Sequence, residues 1–298
     1  MIDHVLTARR RDLGGFEVGR VLPAPAVKMI GPFIFFDHMG PTQFPANLAR
    51  NTDVRPHPHI GLATITYLFD GEIVHRDSVG CHQVIRPGEV NWMTAGRGIT
   101  HSERFETMRE HGGLLDGIQA WVALPQADEE IEPSFVHFDA PDLPEREVDG
   151  THIRLIAGKL LDLVSPVTVR SPLVYAHVTL QPGAALVVPA EYSERAAYVA
   201  RGRIRAGGDE FAPGQMIVFA RATTAAITAL EATTLMLLGG EPVGDRLIWW
   251  NFVSSSTQRM EQAKSDWRAG VFKLPVDDDR EFIPLPQEPP KPAPEPMS

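Results

Sequence analysis

The chain has 298 residues, of which 43% are hydrophobic and 22% charged, with a formal net charge of −10. That balance suits a soluble protein of two domains or one large all-β unit, and its acidity argues against direct binding to a phosphate backbone. The absence of an apolar run of roughly 18 residues excludes a helical membrane span, the N-terminus lacks the apolar stretch of a secretory signal, so a cytoplasmic location is expected, and the single cysteine, Cys81, excludes an intrachain disulfide framework.

Taken in chain order, Arg9-Arg10-Arg11 is the one compact basic run and reads as a solvated surface cluster. Phe33, Phe35, Phe36, Met39 and Phe44 offer apolar surface to a core or to a pocket wall. Among them, Phe36-Asp37-His38-Met39-Gly40-Pro41 has the composition of a turn. Asp37-His38 there is either a plain capped turn or a hydrogen-bonding partner behind a metal ligand. His57-Pro58-His59 comes next. Short alternating runs follow: Thr64 to Phe69, Glu72 to His75, Gln83 to Ile85 and Glu89 to Met93, broken by Asp70-Gly71 and Arg86-Pro87-Gly88. Strands this short, separated by such turns, predict an all-β sandwich or barrel.

His75 and Asp77 alternate along one of these strands and read as a surface pair. Gly96-Arg97-Gly98 leads into His101-Ser102-Glu103, with Arg97 either steadying an anionic substrate or held in a salt bridge. His4, His111, His137, His152 and His177 are scattered and read as structural or surface histidines. Pro-bracketed acidic segments in residues 125–150 mark a connection between two halves. Asp245 to Val253 fits helix or strand. Ser255 to Trp267 has helical spacing, with Ser256 or Thr257 as its cap. Residues 284–298 hold seven prolines and read as an extended, flexible tail.

The two halves resemble each other. Gly71 aligns with Gly202, and the Pro87-Gly88 turn aligns with Pro213-Gly214. The same offsets carry His57 and His59 onto Val188 and Ala190, and His101 and Glu103 onto Ile227 and Ala229. Only the first copy keeps these polar side chains.

Those four residues carry the chemistry. In each pair, positions i and i+2 share one face of a strand. Two strands side by side would bring three imidazoles and one carboxylate to a point, a ligand set for a first-row transition metal. Iron, manganese, nickel and copper suit it, and so does zinc, although closed structural zinc sites take four ligands. One carboxylate leaves a divalent ion with net positive charge, which favours an anionic substrate oxygen. Pro56 and Pro58 stiffen the backbone on either side of His57.

At these residues the chain resembles the pirins, a family of bicupins. The likeness runs through Ile30 to His38, His57 to Gly61, Thr66 to Glu72, His75 to Ser78, Ile85 to Gly88, Trp92 to Ile99, His101 to Glu103 and Gly117 to Val122. It is strong over residues 15–125 and continues more weakly to about residue 270. The resemblance implies two double-stranded β-helix (jelly-roll) barrels face to face, with a short C-terminal helix. It implies an N-terminal metal-binding barrel over residues 1–135, a C-terminal barrel without metal ligands over 136–283, and the Pro-rich tail over 284–298. The implied ligands are His57, His59, His101 and Glu103, holding iron or else manganese, nickel, copper or zinc.

Some pirins open a flavonol ring with O2 as quercetin 2,3-dioxygenases. That implies a small phenolic substrate for a monomer, with Glu103 as a catalytic residue. Others act as metal- and redox-responsive regulators through protein contacts. One departure is visible: many pirins carry a Glu just after the His-X-His pair, where this chain has Gly61-Leu62-Ala63-Thr64. Glu103 is then the only candidate base that the sequence offers nearby.

Overall fold

The computed structural model describes residues 2–287, so the expected tail lies outside them from residue 288 onward. The first barrel is built from β2 (Arg9–Asp12), β3 (Glu17–Leu22), β4 (Phe33–Phe44), β5 (Val54–His59), β6 (Leu62–Asp70), β7 (Ile73–Asp77), β8 (His82–Ile85), β9 (Val90–Thr94), β10 (Ile99–Arg104), β11 (Gly113–Ala123) and β12 (Ser134–Phe138), with helix α1 (Glu106–His111) between β10 and β11. These form a seven-stranded sheet, β12-β9-β6-β11-β4-β3-β2, and a four-stranded sheet, β5-β10-β7-β8.

The second barrel repeats this plan. It uses β13 (Glu145–Val148), β14 (Thr151–Leu160), β15 (Leu163–Val164), β16 (Leu173–Leu180), β17 (Ala185–Val188), β18 (Glu194–Arg201), β19 (Ile204–Ala206), β20 (Asp209–Phe211), β21 (Gln215–Phe219), β22 (Ala225–Ala229) and β23 (Thr233–Gly240). Its small sheet has the order β17-β22-β19-β20, matching β5-β10-β7-β8. The molecule is an all-β bicupin. Among the described residues no helix is long and apolar enough to cross a membrane.

The two large sheets pack face to face through one apolar core. Phe33, Phe36, Ile65, Tyr67 and Ile118 from the first barrel meet Tyr175, Tyr198, Met216, Met236 and Leu238 from the second. Strand alternation sorts β4 accordingly. Phe36 faces the other barrel, whereas Phe35 and Met39 line a cavity inside the first. Phe33 lies in the shared core and Phe44 in the first barrel's interior core, so only two of the five candidate wall residues line the cavity. The segment read as a turn at Phe36 to Pro41 is the middle of a 12-residue strand. Its polar residues are buried with partners instead of being at a chain reversal.

Several segments cross the proposed division at residues 135 and 136. β1 (Ile2–Thr7) runs antiparallel to β21 in the second barrel's large sheet. β12 extends to Phe138 yet pairs with β9 of the first barrel. After β23 the chain returns to the first barrel as a hairpin, β24 (Leu247–Trp249) and β25 (Phe252–Ser254), followed by α2 (Thr257–Arg268). The ambiguous stretch 245–253 is therefore strand. Trp250 turns the hairpin with a φ of 53°. Helix α2 begins as expected, with the Ser256 side chain accepting from the Arg259 amide. Its buried face (Met260, Ala263, Trp267) packs with Ile60 and Phe252.

The register corrects one detail of the repeat. Val188 pairs with Ala225, in the place where His57 pairs with His101. The residue two further on, Ile227, then matches Glu103, so the equivalents on β22 are Ala225 and Ile227 instead of Ile227 and Ala229. A slip of two residues keeps the same strand face, and the replacements remain apolar. Val188, Ala225 and Ile227 are buried in a core that fills the second barrel.

Candidate metal centre

The first barrel keeps a cavity where the second is filled. It measures about 1450 Å³, and His57, His59, Glu103, Gln119 and Trp121 are among its lining residues. β5 is an edge strand of its sheet, which is why Pro56 and Pro58 are tolerated beside the histidines. β10 lies between β5 and β7, with His101 opposite His57 on one side and Asp77 on the other. A register shift follows between His101 and Glu103. Such bulges re-aim side chains near sites.

The nitrogens of His57, His59 and His101 lie within 4.8 Å of one another. All three rings are almost completely buried. His57 Nδ1 donates to the Arg55 carbonyl at 2.9 Å, and His59 Nδ1 donates to the Asn251 carbonyl at 3.0 Å. His101 Nδ1 faces His75 Nδ1 at 3.4 Å, and His75 Nε2 donates to Asp77 at 2.9 Å. This chain of donors assigns each Nδ1 of the three clustered histidines a hydrogen and leaves each Nε2 a free lone pair. His59 Nε2 and His101 Nε2 stand 3.1 Å apart. Two lone pairs that close repel unless a cation lies between them.

A proton is a poor candidate for that cation. Burial pushes His57 down to about 4, and burial first and the neighbouring histidines second hold His59 and His101 well below the usual imidazole value. At pH 7 only about one His57 in a thousand carries a proton. Three neutral imidazoles with converging lone pairs fit a metal ion.

Glu103 borders the same cavity but stands outside the three-nitrogen cluster. Its Oε1 accepts from Gln119 Nε2 at 3.3 Å, and Gln119 Oε1 accepts from Thr66 at 2.8 Å. Burial pushes the Glu103 carboxyl up to about 7 against the lowering effect of its Thr66 and Gln119 hydrogen bonds.

Several residues took roles that the sequence did not reveal. His75 and Asp77 are buried behind His101 instead of at the surface, with relative exposures of 4% and 1%. Asp77 also caps the turn after β7, accepting from the Val79 and Cys81 amides at 3.0 Å each. Asn251, on the hairpin after the second barrel, orients His59. Asp37 is a second cavity carboxylate, bound by Arg20 at 2.9 and 2.8 Å, with burial raising its pKa. Glu103 is therefore not the only carboxylate near the site. His38 bridges the barrels between Asp116, at 2.6 Å, and Tyr198, at 2.8 Å. Arg97 pairs with Glu132 at the surface, not with the site.

The absent carboxylate at Ala63 does not open a gap in the site. Ala63 pairs with Val122 and sits in the core between the barrels, on the sheet face opposite Trp121. Phe35 and Trp121 stack at 3.9 Å with an interplanar angle of 11°, the Arg20 guanidinium lies 4.4 Å from the Phe35 ring, and His59 meets Trp121 edge-on at 5.1 Å. An Arg20–Phe35–Trp121 stack thus leads up to the histidines.

Because His75 orients His101 through a single contact, His75→Ala is expected to weaken metal affinity about 10- to 100-fold while leaving the three ring ligands in place. Competitive titration against a chromogenic chelator measures this.

This fold and cluster define a bicupin whose three-histidine cluster, able to hold a metal ion, lies in the first barrel. The pirin family model matches residues 15–122 and the pirin C-terminal cupin domain matches residues 175–273. The chain belongs to the pirin family. It is 62% identical over 288 residues to a pirin-like protein of Caulobacter vibrioides, covering 96% of this chain and 100% of that one. A crystal structure of quercetin 2,3-dioxygenase from Acinetobacter baumannii superposes with a TM-score of 0.88 at 33% identity, covering 97% of this chain and 96% of that chain. The Escherichia coli pirin YhhW, solved with nickel(II), shares the fold with a TM-score of 0.63 at 18% identity, covering 81% of this chain and 100% of its own.

Proposed function

We propose that the protein is a metal-dependent dioxygenase that opens a flavonol-type ring with O2, using His57, His59, His101 and Glu103 to hold a divalent ion, iron in the first instance. The observation that carries this reading is the convergence of three Nε2 lone pairs at a cavity that Glu103 also borders, with Phe35 and Trp121 among its lining residues. A structural relative described as quercetin 2,3-dioxygenase supports the substrate class. A bound metal would supply Lewis acidity toward a phenolic oxygen and, when redox-active, a means of engaging O2. The nickel(II) in the YhhW structure supports nickel as an alternative to iron, and manganese, copper and zinc suit the same donors.

The protein's own groups have separable tasks. Phe35 and Trp121 give the cavity an aromatic lining beside the histidines, against which a phenolic ring packs. Glu103 either ligates the ion or, where it stays off the ion, accepts the phenolic proton, its metal-free carboxyl being pushed up to about 7 by burial. Gln119 and Thr66 hold that carboxylate in place. Assay of the Fe-, Mn-, Ni- and Cu-loaded protein with quercetin tests the reading through loss of the flavonol absorbance. No loss with any of the four metals overturns it.

The Glu103 carboxyl also sets an expected pH dependence. A raised pKa means that the neutral acid predominates below about 7 and the carboxylate above it. Only the carboxylate ligates, so metal affinity should rise as pH passes from 6 to 8. In Glu103→Gln that rise should disappear, because the histidines titrate well below this range. Affinity measured at several pH values in both proteins decides it.

A further inference from the structure

We propose that the segment Asp277 to Ile283 is a latched strap over the metal cavity, and that Asp278 is its latch on the ligand-bearing strand β10. This rests on reading the cavity as the ligand site. Asp277 to Glu281 and Ile283 all line that cavity, as do His57, His59 and Glu103. They come from the far end of the chain, after α2, and they form neither helix nor strand.

The strap is anchored at its two ends, and Glu281 between them adds one contact to Arg104 at 3.1 Å. Asp278 accepts from Arg104 Nε at 2.8 Å and Arg104 Nη2 at 2.7 Å, and from Ser102 Oγ at 2.6 Å. Ile283 donates its amide to the Pro56 carbonyl at 2.8 Å, and its own carbonyl accepts from Trp267 Nε1 at 3.1 Å. The first anchor grips β10 and the second grips β5, the two strands that carry the histidines and Glu103. Ser102 and Arg104 alternate with His101 and Glu103 along β10, so one face of that strand serves the site and the other serves the latch.

The strength of the two anchors differs from that of the span between them. Arg104 is 2% exposed, and a bidentate guanidinium–carboxylate pair there is strong and directional. Between the anchors, Asp279 and Arg280 are exposed and no sheet ladder holds them. Asp277, just before the latch, has a left-handed φ of 62°. Weakly held backbone between firm points is where local opening occurs. Releasing Asp278 would free one wall of the cavity without unfolding either barrel. The strap would thereby gate access to His57 and His59. Asp53, which is not part of the strap, stays 3.3 Å from Arg104 as its counter-charge when the strap opens.

The test compares wild type with Asp278→Asn and with Ser102→Ala in the full-length, metal-free chain. Ser102→Ala removes one latch bond and leaves the buried charges paired, so it folds even where the other variant is impaired. Two quantities are read by mass spectrometry: amide hydrogen exchange over residues 277–287, and carbethoxylation of His57 and His59 relative to His111, which lies at the surface. Asp278→Asn should raise both at least tenfold and Ser102→Ala about two- to fivefold, with exchange in β5 and β10 unchanged. Unchanged carbethoxylation in both variants overturns the strap. So does a rise in exchange that spreads into β5 and β10, which would mark a purely structural role. Stoichiometric nickel binding by wild type is measured in parallel. Its failure would count against the metal reading alone, because exchange and carbethoxylation are scored without metal.

Discussion

His101→Ala is expected to abolish stoichiometric metal binding, with affinity lowered by more than the roughly 10- to 100-fold that a supporting partner such as His75 is worth. His101 pairs with His57 across the β5–β10 ladder and stands 3.1 Å from His59 Nε2, so its loss removes the middle of the cluster. Two imidazoles and a carboxylate held by Gln119 remain. The fold should persist, because removing a buried imidazole relieves a lone-pair clash in the metal-free protein. Metal analysis of the purified variant, beside His57→Ala, checks this. Full metal content in both variants would place the site elsewhere. The metal-free protein carries a related signature. His57 has its pKa depressed to about 4, so the unfolded state binds the extra proton. Stability then falls as pH drops from about 6.5 toward 4, with His57 alone contributing about 3 kcal/mol.

Arg104→Ala should destabilise the first barrel by about 3–5 kcal/mol, the cost of leaving buried charge without its partner. Arg104 is 2% exposed and binds Asp53, Asp278 and Glu281. Asp53 keeps Arg109 at 2.5 Å and the Phe105 amide at 3.1 Å, so it is partly compensated. Asp278 loses both of its charged hydrogen bonds and keeps only Ser102. Arg104→Lys retains charge but not the two-pronged geometry, and should recover less than half of the loss. Chemical denaturation monitored at the tryptophans reports both values. A change under about 1 kcal/mol in Arg104→Ala would mean that the network is worth no more than an exposed pair.

Much of the site is legible in the residues alone. His57, His59, His101 and Glu103 occupy the predicted strands, and period-two spacing placed each pair on one face. The alternation of Thr64 to Phe69 and the Gly and Pro turns marked the strands correctly, because both signals are local. Errors fell where local composition competed with tertiary burial. Phe36 to Pro41 looked like a turn because Asp, His, Gly and Pro favour turns, yet Asp37 and His38 are satisfied by Arg20, Asp116 and Tyr198 within a long strand. His75 and Asp77 looked exposed because polar alternation usually marks a solvent face. Here that face turns toward His101.

The sequence by itself determined the candidate side chains, their strand spacing, the duplicated architecture and the apolar replacements in the second copy. All of these are written in short-range periodicity or in self-similarity. Only the tertiary structure decided which nitrogens carry lone pairs, that Asn251 and His75 set them, and that Asp278 crosses from the far end of the chain to hold β10. Those contacts join residues far apart in sequence. Their geometry depends on how the two barrels and the returning segment pack, which no local pattern records.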